Sequence, residues 1–196
     1  STTSGIDSDA DFHDVSITDT EMLTINTTDA NGVLAVPTVQ FGHSSFDDNG
    51  TGDLEKVVLT GNAGIALAVS ESGVSAANLE SIDGSAMTAE AKVRLSNVAD
   101  DADFDDDIAS VVVKTGSAAD YIQSDDDSAS ISVDSAGGND TIITGDGTDI
   151  IDSGDGIDSL VSGGGRDNVM LARDKDLAQS DAADIDSFDS IDGGDG

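Results

Sequence analysis

The sequence predicts an all-β fold, a right-handed parallel β-solenoid whose coils are most regular toward the C-terminal end. Three observations predict it. Residues 135–170 read as four consecutive nines, SAGGNDTII, TGDGTDIID, SGDGIDSLV and SGGGRDNVM, with three columns in phase. The acids are 36 Asp against 5 Glu, and Asp favours turns, caps and metal loops where Glu favours helices. Hydrophobic residues make up 37% of the chain but aromatics only 3%, so the core must be aliphatic and thin. Right-handedness follows the general rule for parallel crossovers.

Within the nines, the fourth place is Gly138, Gly147, Gly156 and Gly165, the sixth is Asp140, Asp149, Asp158 and Asp167, and the eighth is Ile142, Ile151, Leu160 and Val169. Glycines at places two and four supply turn conformations that a residue with Cβ resists. The residue at place eight points inward from a short strand, with its neighbours outward. A flexible Gly/Asp linker predicts no such apolar column, yet place eight is apolar four times out of four. If two nines make one coil, every eighteenth residue stacks, which sets Asp140 over Asp158 and Asp149 over Asp167. Stacked strands lie about 4.8 Å apart, where two carboxylates repel by about 3 kcal/mol at an effective dielectric near 20. Such a ladder calls for a cation between its rungs. A hard cation with flexible oxygen coordination fits, which is Ca²⁺. Turn carbonyls at Asn139, Thr148 and Ile157 would complete its shell, and Asp146 and Asp155 add charge beside the same turns.

These nines resemble the RTX nonapeptide G-G-x-G-x-D-x-U-x of calcium-binding parallel β-rolls. Here the family's first Gly is Ser or Thr, and Ala136 stands at place two of the first unit. The resemblance implies a β-roll over residues 115–196 that holds several Ca²⁺ ions. Its metal set would be Asn139, Asp140, Asp146, Gly147, Thr148, Asp149, Asp155, Gly156, Ile157, Asp158, Gly165, Asp167, Asp189 and Asp195.

The register is approached and left gradually. Thr115–Gln123 (TGSAADYIQ) is a degenerate nine with Gly116, Asp120 and Ile122 at places two, six and eight, so Asp120 joins the candidate ligands. Ile131 follows Ile122 by nine, and Ile142 follows Ile131 by eleven. After Met170 the pattern decays through Leu171–Ala183, where Arg166, Arg173 and Lys175 cluster and can pair with Asp174 or Asp176. It resumes around Asp189, Ile191 and Gly194. Gly163 to Gly194 is 31 residues, three nines plus four, which predicts one loop bulging from a continuous solenoid.

Residues 1–114 are expected to form irregular solenoid coils with acidic loop insertions. Strand signals recur at Glu21–Ile25, Asp53–Gly61, Asn78–Ser85 and Asp107–Gly116, with Leu54 to Leu79 spaced by 25 residues and Leu79 to Ile108 by 29. Further strands are predicted at Gly32–Val36, Ile65–Val69 and Ala91–Leu95, and a short helix is considered at Ser75–Leu79 or Ala86–Ala91. Three acidic loops are additional calcium candidates: Asp7, Asp9 and Asp11; Asp47, Asn49 and Asp53; and Asp101, Asp103 and Asp105 within DDADFDDD. Each is equally readable as a solvated loop, or, for the first, as one face of an exposed strand. A strand, a Leu-x-x-Ile-Asp-Gly-Ser turn and another alternating strand, leading into nines, resemble bacterial surface-layer proteins.

A net charge of −34 argues against nucleic acid and anionic membranes as partners, and destabilises a compact state unless cations bind. With no cysteine there is no disulfide, thiolate site or cysteine nucleophile. No run approaches a membrane-spanning helix, and no signal peptide is visible. The final Asp192–Gly196 opens a fresh repeat, so the sequence is expected to belong to a longer protein. His13 and His43 are isolated and form no catalytic or zinc motif, and the chain is expected to be non-enzymatic. The resemblance implies a secreted, calcium-dependent structural protein at a bacterial cell surface, a surface-layer subunit that folds on binding Ca²⁺ and self-associates. The rivals are a calcium-stiffened adhesin module and the RTX tail of a secreted enzyme or toxin.

Overall fold

The computed structural model describes residues 22–28, 38–42, 55–70, 79–96, 110–125, 129–170 and 190–192. Among the described residues there are strands and no helix. One parallel sheet contains, in spatial order, β1 (Met22–Thr27), β3 (Lys56–Gly61), β5 (Ser81–Met87), β7 (Ser110–Lys114), β9 (Ser130–Asp134), β11 (Ile150–Asp152) and β13 (Asn168–Met170). The other contains β2 (Thr38–Gly42), β4 (Ile65–Ser70), β6 (Ala91–Ser96), β8 (Tyr121–Ser124), β10 (Thr141–Ile143), β12 (Ser159–Val161) and β14 (Ser190–Asp192). The chain visits the two sheets alternately, so strands two apart in sequence are neighbours and pair in parallel.

In the nines the step is eighteen residues: Thr141 pairs with Ser159, Ser132 with Ile150, and Ile150 with Asn168. One layer earlier it is twenty: Tyr121 lies opposite Thr141, as the nine and eleven between Ile122, Ile131 and Ile142 require, and Ser110 lies opposite Ser130. Leu160 pairs with Ile191, which reproduces the 31-residue step across the irregular segment. Lys56 pairs with Ser81, matching the 25-residue spacing. The next step is 31 rather than 29, because Ile82 pairs with Val113. Both sheets run unbroken past residue 114, so the two parts of the chain differ in residues per layer, not in architecture.

The strand alternation sorts side chains to the core. In β1, Leu23 and Ile25 are buried while Met22, Thr24 and Asn26 face out. Pairs such as Val57 and Leu59, Val93 and Leu95, and Val111 and Val113 are fully buried. Each such side chain contributes about 1.5–3 kcal/mol of burial. Toward the C-terminal end the strands shorten from six or seven residues to three. Each short strand keeps one inner apolar residue, Ile142, Ile151 or Leu160, and Val169 packs against this core only partly buried. The second inner position passes to a hydroxyl residue: Thr144, Ser153 and Ser162.

Several expectations change. The Leu-x-x-Ile-Asp-Gly-Ser turn is not a turn: Ser81–Met87 is one strand, and its pairing with β3 shifts register between Val58 and Thr60. A bulge absorbs Gly84 and Ser85 without reversing the chain. Ala86–Ala91 is not helical, since Ala86 and Met87 close β5 and Ala91 opens β6; Leu79 is not in a helix either. Strand β2 lies at Thr38–Gly42, a segment not anticipated, whereas 32–36 falls outside the described residues.

On the outer faces, Lys56–Asp83 (3.5 Å), Arg94–Asp125 and Lys114–Asp134 (3.1 Å) each tie one layer to the next. All are part-exposed, so each contributes little.

Candidate metal site

The turn between strands brings the sixth-place aspartates inward. Asp120, Asp140, Asp149 and Asp158 are 3% exposed or less, and Asp167 is half-buried. Each carboxylate meets a backbone N–H of the preceding layer. Ala91 donates to Asp120 Oδ1 (2.7 Å), Asp120 to Asp140 Oδ1 (2.8 Å), and Asp140 to Asp158 Oδ1 (2.9 Å). On the other side of the core, Ile131 donates to Asp149 Oδ1 (2.8 Å) and Asp149 to Asp167 Oδ1 (3.1 Å). The expected stack of Asp140 on Asp158 and Asp149 on Asp167 is therefore present. It is not a bare carboxylate-on-carboxylate ladder, because a backbone amide sits between successive rungs and relieves part of their repulsion.

The amide satisfies one oxygen only. Oδ2 of Asp120, Asp140 and Asp149 is buried with no hydrogen-bond partner among the described residues. The neighbouring hydroxyls of Thr115, Ser135 and Thr144 oppose the upward shift of these carboxyls, but each donates to a carbonyl of the following layer: Thr115 to Ser135 O (3.4 Å), Ser135 to Ser153 O (2.7 Å), and Thr144 to Ser162 O (3.2 Å). Burial pushes the Asp140 carboxyl up to about 6, and the charges of Asp120 and Asp158 push it the same way. Burial also raises Asp120 and Asp149. A buried carboxylate with an unmatched oxygen is costly unless a cation or a proton compensates it.

The candidate set divides by depth. Asp146, Thr148, Asp155, Gly156, Ile157 and Gly165 lie on the exposed side of the turns, while Gly147 is buried. There Asn139 Oδ1 accepts from Ile157 N (3.0 Å), and Asp146 Oδ1 accepts from Gly164 N (3.0 Å). These outer side chains staple one turn to the next. Asp155 joins its turn to the previous one through the backbone, its N–H donating to Ala136 O and its carbonyl accepting from Gly138 N, both at 2.9 Å. Among the described residues no three His, Cys, Asp or Glu side chains converge as a metal cluster. A cation at the inner carboxylates would therefore draw on turn carbonyls as well. Asp189 and Asp195 lie outside the described residues, as do Asp7, Asp9, Asp11, Asp47, Asn49, Asp53, Asp101, Asp103, Asp105 and both histidines.

The fourth-place glycines are explained by the stacking itself. A Cβ on Gly156 would stand 1.5 Å from Gly138 O, and one on Gly147 would stand 2.1 Å from Ala129 O. Only a residue without a side chain lets successive turns approach this closely. Ala136, at the second place, holds φ 62, a conformation that Gly154 and Gly163 adopt in the following layers.

The departures from the nonapeptide pattern at place one, Ser135, Thr144, Ser153 and Ser162, form an inward column of their own. Comparison with protein-family profiles, curated proteins and solved structures finds no match.

Proposed function

We propose that the chain is a right-handed parallel β-solenoid ending in a calcium β-roll, and that it serves as a secreted structural protein which folds on binding Ca²⁺. The observation that carries this reading is the buried column of sixth-place aspartates, in which Oδ2 of Asp120, Asp140 and Asp149 has no hydrogen-bond partner among the described residues. Asp140, Asp149, Asp158 and Asp167 would hold the ions, with the turn carbonyls of Asn139, Thr148 and Ile157. Bound calcium would supply positive charge and take the carboxylate oxygens as ligands where the fold leaves them desolvated. The residues fit such an ion: the unmatched atoms are hard anionic oxygens, and turn backbones run beside them. Because unfolded chains lack the assembled site, calcium binding adds directly to folding stability.

The reading extends to a surface-layer or lattice subunit at a bacterial cell surface. Among the described residues the sheets end on β1 and β13 and on β2 and β14, and a parallel sheet whose end strand stays uncovered favours end-to-end association. Circular dichroism tests the calcium proposal: EGTA should weaken the β-signal and millimolar Ca²⁺ should restore it. A spectrum indifferent to both would sink it. Electron microscopy with and without calcium tests the lattice, with ordered arrays expected only when calcium is present.

A further inference from the structure

We infer that the calcium requirement is confined to one part of the chain: β3 to β7 fold without the metal and form the template on which β10 to β13 order when calcium binds. This rests on the calcium proposal and adds where along the chain the ion acts.

The interior changes character from one end to the other. Among the described residues between 55 and 95, no polar or charged side chain is buried; the core there is aliphatic, with Leu59, Leu67, Ile82, Met87 and Leu95 among its fully buried members. Between Ser135 and Ser162 the buried apolar residues are Ile142, Ile151 and Leu160. Beside them are buried Asp140, Asp149 and Asp158 and four hydroxyl residues. An aliphatic layer gains by burial whether or not metal is present. A layer that desolvates carboxylates loses by it until their charge is compensated. Strand length runs the same way, from six residues in β3, β4 and β6 to three in β10, β11, β12 and β13. The layer-to-layer ion pairs, Lys56–Asp83, Arg94–Asp125 and Lys114–Asp134, also belong to residues 56–134.

The junction shows how one part would seed the other. The first aspartate of its column, Asp120, docks on the backbone N–H of Ala91, the opening residue of β6. Asp120 then presents its own N–H to Asp140, and Asp140 to Asp158. The aliphatic part thus offers a preformed donor on which the aspartate column is built one rung at a time. β8 and β9 are transitional, setting Ile122, Ile131 and Val133 beside the buried Asp120.

Amide hydrogen exchange on the full chain, in EGTA and in millimolar CaCl₂, tests this. In EGTA the amides of β3, β5, β6 and β7 should stay protected, while those of β10 to β12 exchange at least about tenfold faster than in calcium. Uniform loss of protection in EGTA would overturn the template and leave the calcium proposal standing. Protection of β10 to β12 retained in EGTA would overturn both. Two variants give a second readout. Asp158→Ala should abolish calcium-induced protection of β10 to β12 and leave β3 to β7 protected. Val93→Asp, which places a charge in the aliphatic core, should abolish calcium-induced protection throughout. Calcium-ordered β10 to β12 in a Val93→Asp chain whose β3 to β7 are unprotected would refute the template.

Discussion

The backbone N–H of Asp140 donates to Oδ1 of Asp158, its register partner one layer on, at 2.9 Å. Asp140 is therefore both a donor to the next rung and, through its own Oδ1, an acceptor from the previous one, Asp120. Asp120, Asp140 and Asp149 each link three layers, and the second oxygen of each has no hydrogen-bond partner among the described residues.

Asp140→Asn separates these roles. The amide oxygen keeps the acceptor, the NH₂ group replaces the unmatched Oδ2 with a donor facing the Ser135 side, and the buried charge disappears. Metal-free stability should rise by about 1–3 kcal/mol. Calcium affinity should fall about tenfold or more. Urea unfolding in EGTA and calorimetric calcium titration measure the two. Lower metal-free stability, or unchanged affinity, would contradict the assignment.

Acid should substitute in part for calcium. Asp140 titrates at about 6 in the fold, against about 3.9 in an unfolded chain. Between those values the folded state holds a proton that the unfolded state has released. Metal-free stability is then greatest on the acid side and falls as pH rises through about 6. Asp120 and Asp149, raised by the same burial, act in the same direction. Circular dichroism in EGTA should show more β-structure at pH 5 than at pH 7.5. The Asp140→Asn chain should show a shallower dependence, which distinguishes this effect from general loss of net charge. An opposite slope in EGTA would exclude the mechanism.

Gly156→Ala should cost about 3 kcal/mol or more, because the new Cβ would meet Gly138 O at 1.5 Å. Neither atom belongs to a flexible side chain that can swing aside. Ala136→Gly should instead be neutral or stabilising by up to about 1 kcal/mol, since it releases an L-residue from φ 62. Calcium-loaded thermal melts compare the pair, and a harmless Gly156→Ala would disprove the close-approach explanation of the glycine column.

The hydroxyl ladder predicts unequal serines. Ser135 donates to Ser153 O at 2.7 Å, so Ser135→Ala should cost about 1 kcal/mol. Ser153 Oγ is buried with no hydrogen-bond partner among the described residues, so Ser153→Ala should be neutral or slightly stabilising. Chemical denaturation in calcium reads both, and equal losses would count against the ladder.

Much of this was legible in the residues. The three columns of the nines gave the strands, the eighteen-residue step and the inward place eight, because a repeat specifies its own register. Asp120 was found by extending the same pattern backward, and the 31-residue step survived an irregular segment because Leu160 and Ile191 carry the same place in their units. Three features were less legible, each for a physical reason. Ser81–Met87 contains Gly84 between polar neighbours and reads as a turn, but the strands on either side hold it extended through a bulge. Ile82 pairs with Val113 rather than following the Leu79-to-Ile108 spacing, since tertiary pairing, not local pattern, fixes register where no repeat is strict. The amides interleaved between aspartates follow from side-chain depth in the turn, which composition does not encode.

The alternation of strands between two sheets makes chain length count in pairs. Removing nine residues from the regular stretch would carry every later strand to the opposite wall. The segment that followed Asp149 would then have to meet the partners of Asp158. Removing eighteen would take out one storey and return each later side chain to its own column. The natural unit of growth, deletion or exchange in this protein is therefore the double repeat, and a recombination event that respects the nine but not the eighteen produces a chain whose two ends disagree about which wall they belong to.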